Sequence, residues 1–130
     1  MERNGIRTTM KKIIDRANQV AILAQWRGAR AQIWVFDVSL KRMAIRIYRP
    51  QELELIYITA VGCKHIAGPF SWEKADLSIE THPKNAEIPT DCRIIDREAG
   101  FELRCSDARV VRGPATDFDK TFDNLVVETK

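Results

Sequence analysis

The spacing of apolar residues changes once along this chain, and that change limits the folds that it can adopt. Before residue 28 they recur at helical spacing, whereas from residue 31 onward they alternate with a period of two. A period of two is typical of β-strands, whose successive side chains point to opposite faces. The sequence therefore predicts one helix followed by a β-rich region.

The first segment predicts an amphipathic helix over residues 9–27. Thr8 or Thr9 can cap it, because a side-chain hydroxyl accepts a hydrogen bond from a free N–H group of the first turn. Gly28 can end it by taking a left-handed conformation. The predicted apolar stripe consists of Met10, Ile13, Ile14, Ala17, Val20, Ala21 and Ala24.

Short strands separated by turn residues follow the helix. The predicted strands are Ala31–Val38, Met43–Arg49, Leu53–Val61, Ala75–Thr81, Cys92–Arg97, Phe101–Cys105 and Arg109–Arg112. Tight turns rather than helical crossovers connect them, which indicates antiparallel pairing. We expect an α+β fold in which the N-terminal amphipathic helix packs on a curved, mainly antiparallel sheet of six or seven strands, with closure into a barrel as an option.

Length and composition indicate one globular domain. We assign residues 1–113 to a single α+β domain and residues 114–130 to a C-terminal tail that either docks as a last strand or helix or stays free. No apolar run approaches the roughly 20 residues of a membrane span. Three cysteines without CxxC spacing favour reduced thiols, so we expect a cytoplasmic protein.

Cys63 and His65 are the pair that most resembles an enzyme site. They are two positions apart on an extended segment, so a histidine could activate a thiol nucleophile. They could also supply two zinc ligands, with the rest from His82, Cys92 or Cys105. Packing in the core explains them more simply, because Cys63 has the same parity as an apolar row of its strand. We predict no metal and no cofactor.

Two aromatic residues, Phe70 and Trp72, follow a Gly-Pro turn signal. Exposed on the surface, they would be candidates for contact with a small molecule or a partner. The alternative is that they fold back and close the end of a sheet, and we favour that alternative.

Positive charge is concentrated in the first part of the chain. Residues 1–50 hold eleven Lys/Arg and three Asp/Glu, whereas residues 51–130 hold ten and fifteen. The candidate binding cations are Arg27, Arg30, Lys41, Arg42, Arg46 and Arg49. With the aromatic residues among them they could form a nucleic-acid surface, provided that they share one exposed face. Alternatively, the basic and acidic parts pair within the fold or across a symmetric dimer.

The sequence contains no P-loop, GxSxG, GxGxxG, HExxH or EF-hand motif. We therefore expect a non-catalytic binding or interaction module that associates with itself or with another protein and not with a membrane. One alternative is a small-molecule-binding or catalytic barrel that uses Cys63 and His65. The other is a nucleic-acid binder.

Overall fold

The computed structural model describes residues 12–83 and 91–114. These residues form one helix and ten strands: β1 (Lys12–Ile14), α1 (Arg16–Gln25), β2 (Arg30–Asp37), β3 (Arg42–Tyr48), β4 (Glu54–Val61), β5 (His65–Ala67), β6 (Ser71–Trp72), β7 (Ser78–His82), β8 (Asp91–Asp96), β9 (Phe101–Cys105) and β10 (Asp107–Pro114). The larger number of strands reflects three short ones, β1, β5 and β6, that no alternating pattern marks.

The strands form two antiparallel sheets. The large sheet has six strands in the order β1-β10-β4-β3-β2-β6, and the small sheet has four in the order β5-β9-β8-β7. All pairs between neighbouring strands are antiparallel, as predicted. The prediction of a mainly antiparallel α+β fold is confirmed, but the strands form two sheets instead of the predicted single sheet, and the two sheets do not close into a barrel.

The main core lies between the two sheets. It combines side chains of the large sheet, such as Ile45, Ile58 and Val110, with Ile94 and Leu103 of the small sheet. On the opposite face of the large sheet, a second buried cluster comprises Ala44, Leu55, Tyr57 and Val111. The central strands β3 and β4 are therefore apolar on both faces, as buried strands usually are.

The predicted helix begins too early. Residues Lys12–Ile14 form strand β1, which pairs with the last strand β10, and α1 starts only after Asp15. Ile13 and Ile14 suit both helical and extended spacing, because a short apolar run does not distinguish the two. The pairing with β10, a strand distant in sequence, decides between them. Gly28 has the predicted left-handed backbone, with φ of 92°.

The buried face of α1 is also different from the predicted stripe. Ile22, Leu23 and Trp26 are buried, whereas Val20 is 77% exposed. The predicted stripe depended on alanines, and burying the larger Ile, Leu and Trp side chains removes more apolar surface from water. Side-chain size therefore decided which face of the helix packs on the sheets.

Some predictions fall outside the described residues. They are the cap at Thr8 or Thr9, Met10 in the apolar stripe, and the tail from residue 115 onward. Within the described residues, no helix is both long and apolar enough to cross a bilayer.

Candidate functional site

An open cavity of about 350 Å³ lies at the border of the two sheets, and we call it the inter-sheet cleft. Apolar side chains form most of its wall, and three of the predicted candidates, Cys63, His65 and Phe70, contribute to it. Its lining residues are Ile33, Phe36, Met43, Cys63, Lys64, His65, Ile66, Phe70 and Leu103.

A β-bulge in β2 places two side chains of this strand in the wall of the cleft. The register with β3 shifts between Ile33 and Val35, so that Trp34 is an extra residue. Trp34 and Val35 consequently both lie against the second cluster, and Ile33 and Phe36 both line the cleft. The sequence shows a strand that is apolar on both faces, but no residue in it marks the bulge.

Gly62 determines where Cys63 lies. Its φ is 63°, and a Cβ atom on it would clash with the Oγ of Ser106, so only glycine fits this turn without displacement. The turn interrupts the alternation of β4. Cys63 therefore packs against the main core and lines the cleft, rather than continuing the row of Leu55 and Tyr57. The sequence-based prediction that Cys63 continues the apolar row of its strand is therefore wrong, because the turn at Gly62 interrupts the alternation.

The surroundings of Cys63 disfavour the thiolate form. Burial, and next the proximity of Cys92, raise the pKa of Cys63 to about 11, so the thiol is protonated at neutral pH. Nucleophilic cysteines require the opposite shift, which a nearby cation or a helix N-terminus supplies.

His65 does not assist Cys63. The register places His65 opposite Arg104, an exposed residue whose neighbours Leu103 and Cys105 point into the core. Because cross-strand partners share a face, the imidazole borders the cleft from the outer side of the small sheet. No hydrogen bond between Cys63 and His65 is present.

The other two cysteines form a buried pair in the small sheet. Cys92 and Cys105 are direct cross-strand partners, and both are fully buried. A hydrogen bond to Cys92, and next burial, raise the pKa of Cys105. Across residues 12–83 and 91–114, no group of three or more His, Cys, Asp and Glu side chains could hold a metal ion.

Phe70 and Trp72 have different environments. Phe70 is 80% exposed at the cleft, whereas Trp72 folds back against the core. Its indole Nε1 donates a hydrogen bond of 2.7 Å to Asp96, and its ring lies 4.8 Å from that of Phe101. The prediction that both fold back thus describes Trp72 alone.

Asp96 is the centre of what we call the Trp72–Asp96 corner. This carboxylate is 1% exposed, and besides Trp72 it accepts hydrogen bonds from the backbone N–H groups of Asp76 and Ala99. Three donors compensate for removing the charge from water.

The predicted basic cluster is divided among separate contacts. Arg27 pairs with Asp76 at 3.1 Å, and Arg30 lies 3.9 Å from Glu73. Arg42 pairs with Asp37 at 2.9 Å, and hydrogen bonds, first from Arg42 and then from the Leu40 backbone, lower the pKa of Asp37. Two of these pairs join the basic first part of the chain to the acidic remainder, as the internal-pairing alternative expected.

The remaining two arginines pack within the protein. Arg46 is buried, and its guanidinium lies 4.2 Å from the ring centres of both Trp34 and Tyr48. Arg49 donates hydrogen bonds to the carbonyl oxygens of Gln25 and Arg27, near the end of α1. With Arg46 buried, the six cations do not share one exposed face, so the nucleic-acid hypothesis stays a prediction with less support.

Comparison of the chain with protein-family models and with curated proteins, and of its structure with solved structures, finds no match.

Proposed function

We propose that this chain is a non-catalytic binding module whose site is the inter-sheet cleft and whose ligand is a small, mainly apolar molecule. The observation that carries the proposal is the apolar cavity of about 350 Å³, which lies within the range of ligand sites. Phe36, Ile66 and Phe70 at its mouth are large apolar side chains left exposed to water. A ligand in the cleft would cover them, which is the usual explanation of such patches.

The chemistry of the wall supports binding rather than catalysis. The thiol of Cys63 is protonated at neutral pH, and His65 borders the cleft without a hydrogen bond to that thiol. The wall formed by the described residues includes no carboxylate. These features leave the cleft without an evident proton donor and acceptor pair for general acid–base chemistry.

The neutral dye phenylnaphthylamine tests this proposal, because its fluorescence rises in apolar surroundings. We expect saturable binding that Phe36→Ser and Phe70→Ser each weaken about fivefold, since each removes about 1 kcal/mol of apolar contact. Leu53→Ser is the matched control, because Leu53 is 83% exposed and does not line the cleft. Equal dye affinity in the parent protein and in the Phe36→Ser/Phe70→Ser double variant would refute the site.

Self-association remains part of this proposal. Val38 and Leu40, in the turn between β2 and β3, are 73% and 60% exposed and could contact a second copy. Sedimentation at high micromolar concentration should then show a dimer that Leu40→Ser weakens, with Val20→Ser on α1 as the control. A monomer throughout that concentration range would contradict self-association and leave ligand binding untouched.

A further inference from the structure

We propose that the ligand of the inter-sheet cleft is a single-chain amphipathic anion, such as a medium-chain carboxylate, with its chain inside and its acidic group at the mouth. This inference rests on the proposed function and adds the charge and the shape of the ligand. It follows from the distribution of charged residues around the cleft and from the size of the cavity.

Positive charge at the mouth is not neutralised by the protein. Lys64 lines the cleft, and Lys41 lines a more open depression that continues from it past Phe36 and Cys63. Both lysines are exposed, and neither forms an ion pair within the described part of the chain. An anion placed between them would therefore meet two cations without having to displace a carboxylate.

Three other depressions formed by the described residues differ in this respect. Their walls include a carboxylate: Asp107 beside Arg42 and Arg109, Asp76 beside Arg27, and Asp15 near Lys12. Of the described residues, neither the cleft nor the depression that continues from it has Asp or Glu in its wall. Charge complementarity thus favours an anion at the cleft specifically.

The interior of the cleft fits an alkyl chain. Its deeper wall consists of aliphatic and thioether side chains, Ile33, Met43 and Leu103, which offer no buried polar group to a ligand. A cavity of about 350 Å³ equals about twelve water volumes of roughly 30 Å³ each, which suits a chain of about ten carbons. Decanoate, below the concentration at which it forms micelles, is therefore the probe.

The experiment measures displacement of phenylnaphthylamine from the full chain by decanoate, octanoate and decanol. We expect decanoate to displace the dye at a concentration about tenfold lower than decanol does, because only decanoate can pair with the lysines. Octanoate should be about sixteenfold weaker than decanoate, at about fourfold per methylene group. Equal potency of decanoate and decanol would overturn the anionic ligand and leave the apolar site intact.

Lysine variants identify the source of the preference. Lys64→Gln combined with Lys41→Asn should remove the tenfold advantage of decanoate over decanol; asparagine is chosen because Lys41 has a φ of 54°, which asparagine tolerates. Lys12→Gln, an exposed lysine of β1 outside the cleft, should preserve it. An unchanged preference in the double variant would overturn the proposed role of these lysines.

Two further outcomes have distinct meanings. If the dye does not bind the parent protein and decanoate gives no heat on titration, both the proposed function and this inference fail. If the protein sediments with phosphatidylglycerol vesicles but does not bind free decanoate, the anionic surface serves a membrane and the single-chain ligand is refuted.

Discussion

Two regions bordering the main core contain aromatic residues, and they differ in how those residues are held. At the Trp72–Asp96 corner, Trp72 packs against Phe101 and donates to a fully buried carboxylate. At the inter-sheet cleft, Phe36 and Phe70 are half exposed or more. One region is closed by the chain itself, and the other leaves apolar surface in contact with water.

The difference comes from the polar atom of the indole ring. Tryptophan has an N–H group that a buried acceptor can fix in one direction, so Trp72 is held by a hydrogen bond as well as by packing. Phenylalanine has only apolar contacts, and at the cleft the protein supplies too few of them to bury Phe70. The comparison indicates that the corner stabilises the fold, whereas the cleft leaves apolar side chains that the proposed ligand would cover.

Removal of the Asp96 carboxylate should have the largest effect on stability. Asp96→Ala leaves the Trp72 indole N–H and the backbone N–H groups of Asp76 and Ala99 without their acceptor, so the free energy of unfolding should fall by about 3 kcal/mol. Urea unfolding measures it. Glu98→Ala, an exposed change two residues away, should alter it by less than about 0.5 kcal/mol. A similar loss in both variants would contradict the special role of the corner.

At the cleft, substitution of Gly62 is the corresponding test of stability and binding. Gly62→Ala forces a side chain into the left-handed region and against Ser106, and we expect a loss of about 2 kcal/mol together with weaker dye binding. Gly100→Ala is the matched control, because Gly100 also has a positive φ but open space around it. Gly100→Ala should lower the free energy of unfolding by about 1 kcal/mol and leave dye binding unchanged. If Gly100→Ala impaired binding equally, the turn at Gly62 would not define the cleft.

Alkaline pH should lower the free energy of unfolding through ionisation of the Cys63 thiol, by less than either Asp96→Ala or Gly62→Ala does. The pKa of this thiol is about 11 in the folded protein against 9.0 for an unperturbed cysteine. Its contribution to stability is thus present below pH 9 and is lost as the pH rises towards 11. Partial exposure limits the loss to about 1 kcal/mol. The measurement is urea unfolding over this pH range, with Cys63→Ala as the reference; parallel pH profiles of the two proteins would contradict it.

The strands that alternate regularly between core and solvent could be predicted from sequence. The predicted strand Phe101–Cys105 has the observed bounds. Cys92 and Cys105 alternate with charged residues in the sequence, a pattern typical of buried positions, and both are fully buried. In β3, Met43, Ile45 and Ile47 lie two positions apart in the sequence, as residues on one face of a strand do, and all three belong to the main core. These predictions succeed because alternation between core and solvent is local and uninterrupted there.

The geometry of the cleft could not be predicted in the same way. It depends on a bulge at Trp34 and on the turn at Gly62, each of which changes which face a residue occupies. Parity arguments assume an unbroken strand, so they assigned Cys63 to the row of Leu55 and Tyr57. A glycine directly after β4 was the one available signal. The contact that requires it, with Ser106, comes from a part of the chain distant in sequence.

The smallest effect should come from the ion pair that borders the corner. Asp76 donates its backbone N–H to buried Asp96, while its side chain accepts from Arg27 across the surface at 3.1 Å. Both partners of the ion pair are more than half exposed, with side-chain exposures of 64% and 59%. A double-mutant cycle of Arg27→Ala and Asp76→Asn should therefore give a coupling of only about 0.5 kcal/mol, lower still in high salt.

That value would show how the uneven charge distribution along the sequence contributes to the fold. Arg27 belongs to the basic first part of the chain and Asp76 to the acidic remainder, so their coupling measures internal pairing directly. A coupling above about 1.5 kcal/mol would mean that exposed pairs stabilise the protein as strongly as single buried hydrogen bonds to a charged group do. The expected small value would mean that this exposed pair adds little to the stability of the fold beside the three hydrogen bonds that Asp96 accepts.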